Sequence, residues 1–189
     1  MKKFKGMQGM LVLVVLVCAV VGFYYYLANR AKAKEEEENT TITAVQDVLL
    51  RDLERGYPPT PKEVVRYYAE ISRCFYSEEY TDEELEEMAF KIQELYDDEL
   101  VAAKTQESYL TDLKDDIEKF KSDGWVITGY TTSASTDVFT FSADGYDWAR
   151  LYCTFYLRKG RNKTNTQEVF VLRKDEEGHW KIYGWDLAD

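Results

Sequence analysis

The stretch DDIEKFKSDGWVITGYTT (Asp115–Thr132) decides the fold class, because the period of its apolar residues changes at Gly124. Leu110, Leu113, Ile117 and Phe120 recur at helical spacing ahead of the glycine. Behind it, WVITGYTTSA (125–134) alternates as a strand does. Gly124 fits just past the helix end, where a left-handed residue closes the last turn. Regular patterns upstream of this point are helical, and those downstream have a period of two. Helices first and strands second imply an α+β domain, with helices packed on one face of an antiparallel sheet.

Working upstream, TDEELEEMAFKIQELY (81–96) opens with a capping box, and Leu85, Met88, Ala89, Ile92, Leu95 and Tyr96 form its buried stripe. All three prolines fall in GYPPTPKEVV (56–65). Thr60 fits as N-cap, Pro61 as the first helical residue and Glu63 as the capping-box acid. Val64, Tyr68, Ile71 and Phe75 then make one apolar face. Earlier still, TITAVQDVLLRDLERG (41–56) carries Ile42, Val45, Leu49 and Leu53 at helical spacing, with Gly56 as its stop. That helix docks on the domain or stands as a stalk.

Working downstream, TDVFTFSADG (136–145) predicts a short strand and YDWARLYCTFYLRKG (146–160) a long one. TQEVFVLRKDEEG (166–178) leads into a last strand, HWKIYGWDL (179–187). Gly160 with Arg161 to Thr164, and Asp175 to Gly178, read as hairpin turns.

At the N-terminus, MKKFK precedes an uncharged stretch of 24 residues, 6–29. As a helix it would span ~36 Å, enough for a bilayer core of about 30 Å. Tyr24, Tyr25 and Tyr26 stand near one end, where aromatic rings favour the headgroups. The expected organisation is a cytoplasmic tail (1–5), an uncleaved transmembrane anchor (6–29), a juxtamembrane linker and helix (30–56), and the α+β domain (57–189). Keeping the tail lysines inside places the acidic domain outside the cell membrane.

The net charge of −11 excludes a nucleic-acid partner, which needs a basic surface. Residues 78–99 hold eleven acids and one lysine. They read as a solvated helix face or as a surface for a basic partner. Arg158, Lys159, Arg161, Lys163, Arg173 and Lys174 give the strands the opposite sign. Cys74 and Cys153 lack metal-ligand spacing and read as buried thiols, with a disulfide as the alternative. His179, the only histidine, follows Gly178 in a turn and reads as a surface residue. No catalytic motif, metal site or cofactor signature appears.

The long strand has two unlike faces. Ala149, Leu151, Cys153, Phe155 and Leu157 should meet the helices, and none is a carboxylate. Trp148, Arg150, Tyr152, Tyr156 and Arg158 face the other way, a composition typical of protein interfaces. Two readings stand: a homodimer or partner surface, or cross-strand aromatic pairing on an open face.

TPKEVVRYYAEI (60–71) and the terminal GHWKIYGW (178–185) resemble the nuclear-transport-factor-2-like superfamily, also called SnoaL-like or cone-fold. The closest likeness is to membrane-anchored bacterial members of unknown function, and it covers roughly residues 57–189. The resemblance implies three main helices on a curved antiparallel sheet, often with an apolar cavity and a dimer formed through the sheet. It also implies a cavity lined by Tyr68, Phe75, Met88, Leu113, Ile117, Leu151 and Phe155. Fold likeness assigns no activity. The first functional expectation is a non-enzymatic envelope domain acting in protein association or scaffolding. The alternatives are a domain binding a small hydrophobic ligand and a cavity enzyme of the isomerase or cyclase type.

Overall fold

The computed structural model describes residues 42–188. Five helices precede five strands: α1 (Ala44–Leu49), α2 (Pro61–Ser77), α3 (Asp82–Gln93), α4 (Asp98–Ala102), α5 (Gln106–Ser122), β1 (Val126–Thr132), β2 (Phe139–Ala143), β3 (Tyr146–Lys159), β4 (Asn162–Lys174) and β5 (Trp180–Leu187). The architecture is α+β, with helices packed on an antiparallel sheet, as the change of period at Gly124 predicts. Gly124 itself has φ of 76°, a conformation that a side chain disfavours.

The strand order is β1-β3-β4-β5, and β2 also pairs with β3. β3 is long enough to take β1 along Cys153–Arg158 and β2 along Tyr146–Arg150 on the same edge. Its other edge pairs with β4 from Trp148↔Arg173 to Lys159↔Asn162. This corrects the expected turn: only Gly160 and Arg161 lie between the paired strands, and Asn162 to Thr164 are already in the ladder. Gly160 has φ of 59°, which lets so tight a connection follow the strand twist.

Thr60 and Thr81 both cap their helices, but Glu63 does not close the expected box, since its carboxylate takes the Thr60 hydroxyl and not the Thr60 N–H. Thr60 Oγ1 accepts from the Glu63 N–H at 3.2 Å, and its hydroxyl donates to the Glu63 carboxylate at 2.9 Å. Thr81 and Glu84 form the full reciprocal box. Thr60→Ala should therefore lower the unfolding free energy by about 1 kcal/mol, read as a shift in denaturation midpoint. An unchanged midpoint would show that this cap adds nothing to stability.

α1 differs from its expected form. It ends at Leu49, where Asp52 Oδ1 accepts from the N–H groups of Glu54 and Arg55 and draws the chain into a turn. Gly56 is therefore not its stop, and Ile42 is 57% exposed rather than part of a stripe. Val45, Val48 and Leu53 are the buried residues, and Tyr67 donates to the Val48 carbonyl at 2.6 Å. The compact unit starts at Thr43, so α1 docks on the domain instead of standing as a stalk.

The core lies between α2 and the sheet. Val64, Val65, Ile71, Cys74 and Phe75 meet Ala149, Leu151, Cys153, Phe170, Leu172 and Ile182 from the inner face. Cys74 and Cys153 are each buried and free. α4 escaped the periodicity because five residues are too few to show one. It is set by Asp97, which caps it by accepting from the Glu99 N–H at 3.0 Å.

Asp97 also ties the helices to the sheet. Its N–H donates to the Ile182 carbonyl at 2.9 Å, and the Ile182 N–H donates to Leu95 at 2.7 Å. Arg173 grips the Asp97 carboxylate with Nε at 2.9 Å and Nη2 at 2.6 Å, and reaches Glu99 with Nη1 at 2.7 Å. The rings of Tyr146 and Tyr183 flank the guanidinium at 4.7 and 5.1 Å. Arg173 is thus no part of a free basic patch, and Asp97, 3% exposed, is no part of a solvated acidic face.

Among the described residues, no helix is long and apolar enough to cross a membrane. The expected anchor, residues 6–29, lies outside the described residues.

Candidate functional site

Tyr68, Ser72 and Tyr76 follow one another every fourth residue of α2, so they share one row of that helix. Asp116, Lys119 and Phe120 of α5, with Asp123 at its C-cap, form a facing row. The two rows touch where Tyr76 meets Phe120 and elsewhere leave a cleft of about 450 Å³ over the sheet. Its sheet side is built from Ile127, Phe155, Leu157, Thr166, Glu168 and Trp185. An adjoining cleft of about 260 Å³ shares Tyr68, Ser72, Tyr76, Asp116 and Trp185 and extends toward Tyr96, Tyr109 and Leu113. Volumes of this order suit a small organic molecule.

The walls are aromatic. Tyr68 packs on Trp185 and Phe170 with ring centroids 5.3 and 5.1 Å away, and Tyr76 packs on Phe120 at 4.7 Å. Ser72 is buried and donates to the Tyr68 carbonyl at 2.9 Å. Burial raises the Tyr68 phenol well above its ordinary range and pushes Tyr76 up to about 12, so both stay protonated donors at neutral pH.

Glu168 is the exception among these groups. It sits on β4 opposite Cys153 of β3 and Leu187 of β5, on the inward face with Phe170 and Leu172. Its Oε2 is buried without a hydrogen-bond partner. It enters no salt bridge within the described residues. Loss of solvent around the carboxylate pushes its pKa from 4.5 up to about 7. Such a group is half-ionised near neutrality and can take, give or share a proton there. Cys153 beside it is pushed up to about 12, first by burial and then by the Glu168 charge, so it stays a thiol.

Of the residues expected to line a cavity, Tyr68 and Phe155 line the larger cleft, and Tyr68, Phe75 and Leu113 the smaller. Met88, Ile117 and Leu151 are buried in the core instead. Met88 on α3, Ile117 on α5 and Leu151 on β3 all turn into the apolar core cluster. Trp148, Arg150, Tyr152, Tyr156 and Arg158 are spread along the opposite, outward side of β3, away from the cleft. Phe139 and Phe141 of β2 extend that side, with Phe141 stacked on Trp148.

The model of a domain of unknown function, DUF6715, matches residues 1–185. The chain belongs to the DUF6715 family. No curated protein matches it. The DUF6715 match runs from Met1 into β5, so it takes in the whole cleft, Glu168 and Trp185 included.

Glu168 is the residue of this DUF6715 chain that strand-by-strand reading overlooks. The inward positions of β3 hold no carboxylate. The same alternation on β4 places Glu168 in step with buried Phe170 and Leu172, which is the signal that finds it. His179 stands at the β4–β5 turn, outside the cleft, with its ring stacked on Tyr57 at 4.3 Å. Asp175, Glu177 and His179 bring ligand atoms within 4.8 Å of one another. This is a partly exposed turn, and exposed acidic groups commonly gather so without an ion.

Proposed function

We propose that this chain is a membrane-anchored, extracytoplasmic domain of the cone-fold type that binds a small organic ligand between α2, α5 and the sheet. The observation that carries this reading is the unpartnered Glu168 carboxylate in an aromatic cleft. Glu168 is half-buried, and its Oε2 is enclosed without a partner, which costs stability that a ligand donating to that oxygen recovers. Tyr68 and Tyr76 add donors, and Trp185, Phe120 and Phe155 add apolar wall. The same carboxylate could pass a proton to or from a bound ligand, which would make the site an enzyme of the isomerase or cyclase type.

The test uses the full-length chain in lipid nanodiscs and a set of fluorinated aromatic fragments observed by fluorine NMR. Asp116 is exposed at the mouth of both clefts, so Asp116→Trp should fold normally and cover the opening. Fragments whose signals broaden with the native chain should stay sharp with the variant. A fragment set that never distinguishes the two proteins contradicts the reading.

A second reading, protein association through the outer face of the sheet, is favoured by one further observation. Phe139, Phe141, Tyr152, Tyr156 and Tyr183 are all exposed there. A contiguous aromatic surface of this kind is uncommon on a protein that stays alone. If two copies or an envelope partner meet on it, Tyr152→Glu should abolish the complex in sedimentation. A wild-type chain that sediments as a monomer rules out the homodimer.

A further inference from the structure

We propose that the ligand of this cleft is an organic cation, an amine carried on an aromatic or aliphatic body. This inference rests on the ligand-binding reading above and names the class of molecule.

Three features of the geometry point to a cation. The first is the absence of a counter-charge: Glu168 Oε2 is buried and meets no donor among the described residues. The partner it lacks is a hydrogen-bond donor, and an ammonium group supplies both donors and charge. The second is the wall, where the rings of Tyr68, Tyr76, Phe120, Phe155 and Trp185 surround the same space. Aromatic faces attract cations and still pack against an apolar body. The third is the rim, where Asp116 and Asp123 face a single cation, Lys119. The mouth is therefore net acidic, which draws cations in and turns organic acids away.

The groups around Glu168 leave the carboxylate as the one that changes charge near neutrality. From α2 come Tyr68 and Tyr76, held protonated by burial. From β3 comes Cys153, held as a thiol. α5 contributes Asp116 and Lys119, its C-cap contributes Asp123, and β5 contributes the neutral Trp185. Binding of an ammonium ion requires the ionised carboxylate, so affinity should fall as the pH drops below about 7.

The experiment compares three matched probes on the full-length chain at about pH 8: 2-(4-fluorophenyl)ethylamine, 2-(4-fluorophenyl)ethanol and 3-(4-fluorophenyl)propanoate. The amine should bind at least about tenfold tighter than the alcohol, and the propanoate most weakly. Glu168→Gln should bring amine and alcohol within about twofold of each other, because the glutamine keeps the shape and loses the charge. Alcohol or propanoate binding as tightly as the amine, or an amine preference that survives Glu168→Gln, overturns the inference. In that case sensitivity of the bound probe to Asp116→Trp still supports the cleft as a ligand site. If none of the three probes binds, the cation inference and the ligand-binding reading both fail.

Discussion

Arg173→Met is expected to destabilise the domain by about 3 kcal/mol, measured by chemical denaturation of the full chain. The arginine holds Asp97 through two hydrogen bonds, and Asp97 is buried. Removing the cation leaves a buried carboxylate without its counter-charge, which is far costlier than losing an exposed pair. The effect should reach beyond the pair. Asp97 also caps α4 and bonds through its backbone to β5, so one substitution loosens the joint between the helices and the sheet. Lys at position 173 should rescue only part of the loss, since an ammonium cannot reproduce the fork that meets both carboxylate oxygens. A loss below about 1 kcal/mol for Arg173→Met, the range of surface pairs, would show that the pair is solvated.

Glu168→Gln should act in the opposite direction and stabilise the protein above neutral pH, by about 3 kcal/mol at full effect. Glu168 has its pKa raised from 4.5 in the unfolded chain to about 7 in the folded one. Below the lower value both states are protonated and the group contributes nothing. Between the two values the folded protein keeps a proton that the unfolded chain has released. Stability therefore falls as the pH rises through this window, and the full penalty stands above about 7. The glutamine variant lacks this descent. Equal stability of the two proteins at pH 8 would contradict the burial of the charge. A native chain that carries a destabilising acid in a cleft fits a residue held for binding rather than for folding.

Fold class was legible because it depends on periodicity. The change at Gly124 and the capping signals at Thr60 and Thr81 are local, and the backbone obeys them. α1 and α4 were less legible for the same reason. Each is short, and its limits are set by single polar side chains, Asp52 beyond α1 and Asp97 ahead of α4. The pairing of Arg173 with Asp97 joins residues 76 positions apart, and no pattern along the chain reports such a contact. The cleft was half legible. The row Tyr68, Ser72, Tyr76 follows from helical spacing, and Glu168 follows from alternation once β4 is placed. That α5 meets α2 at Tyr76 and Phe120 yet leaves open space beside that contact is a matter of packing. Apolar residues such as Met88 and Leu151 look the same in a sequence whether they line a cavity or fill a core.

The most direct measurement is the ionisation of Glu168 itself, followed by carboxyl carbon-13 NMR of glutamate-labelled full-length chain, with Glu168→Gln assigning the signal. The account predicts a midpoint near 7, moving down when 2-(4-fluorophenyl)ethylamine is bound. A midpoint near 4.5 that is indifferent to the amine would mean a solvated surface acid, and the cleft would have no ionisable anchor.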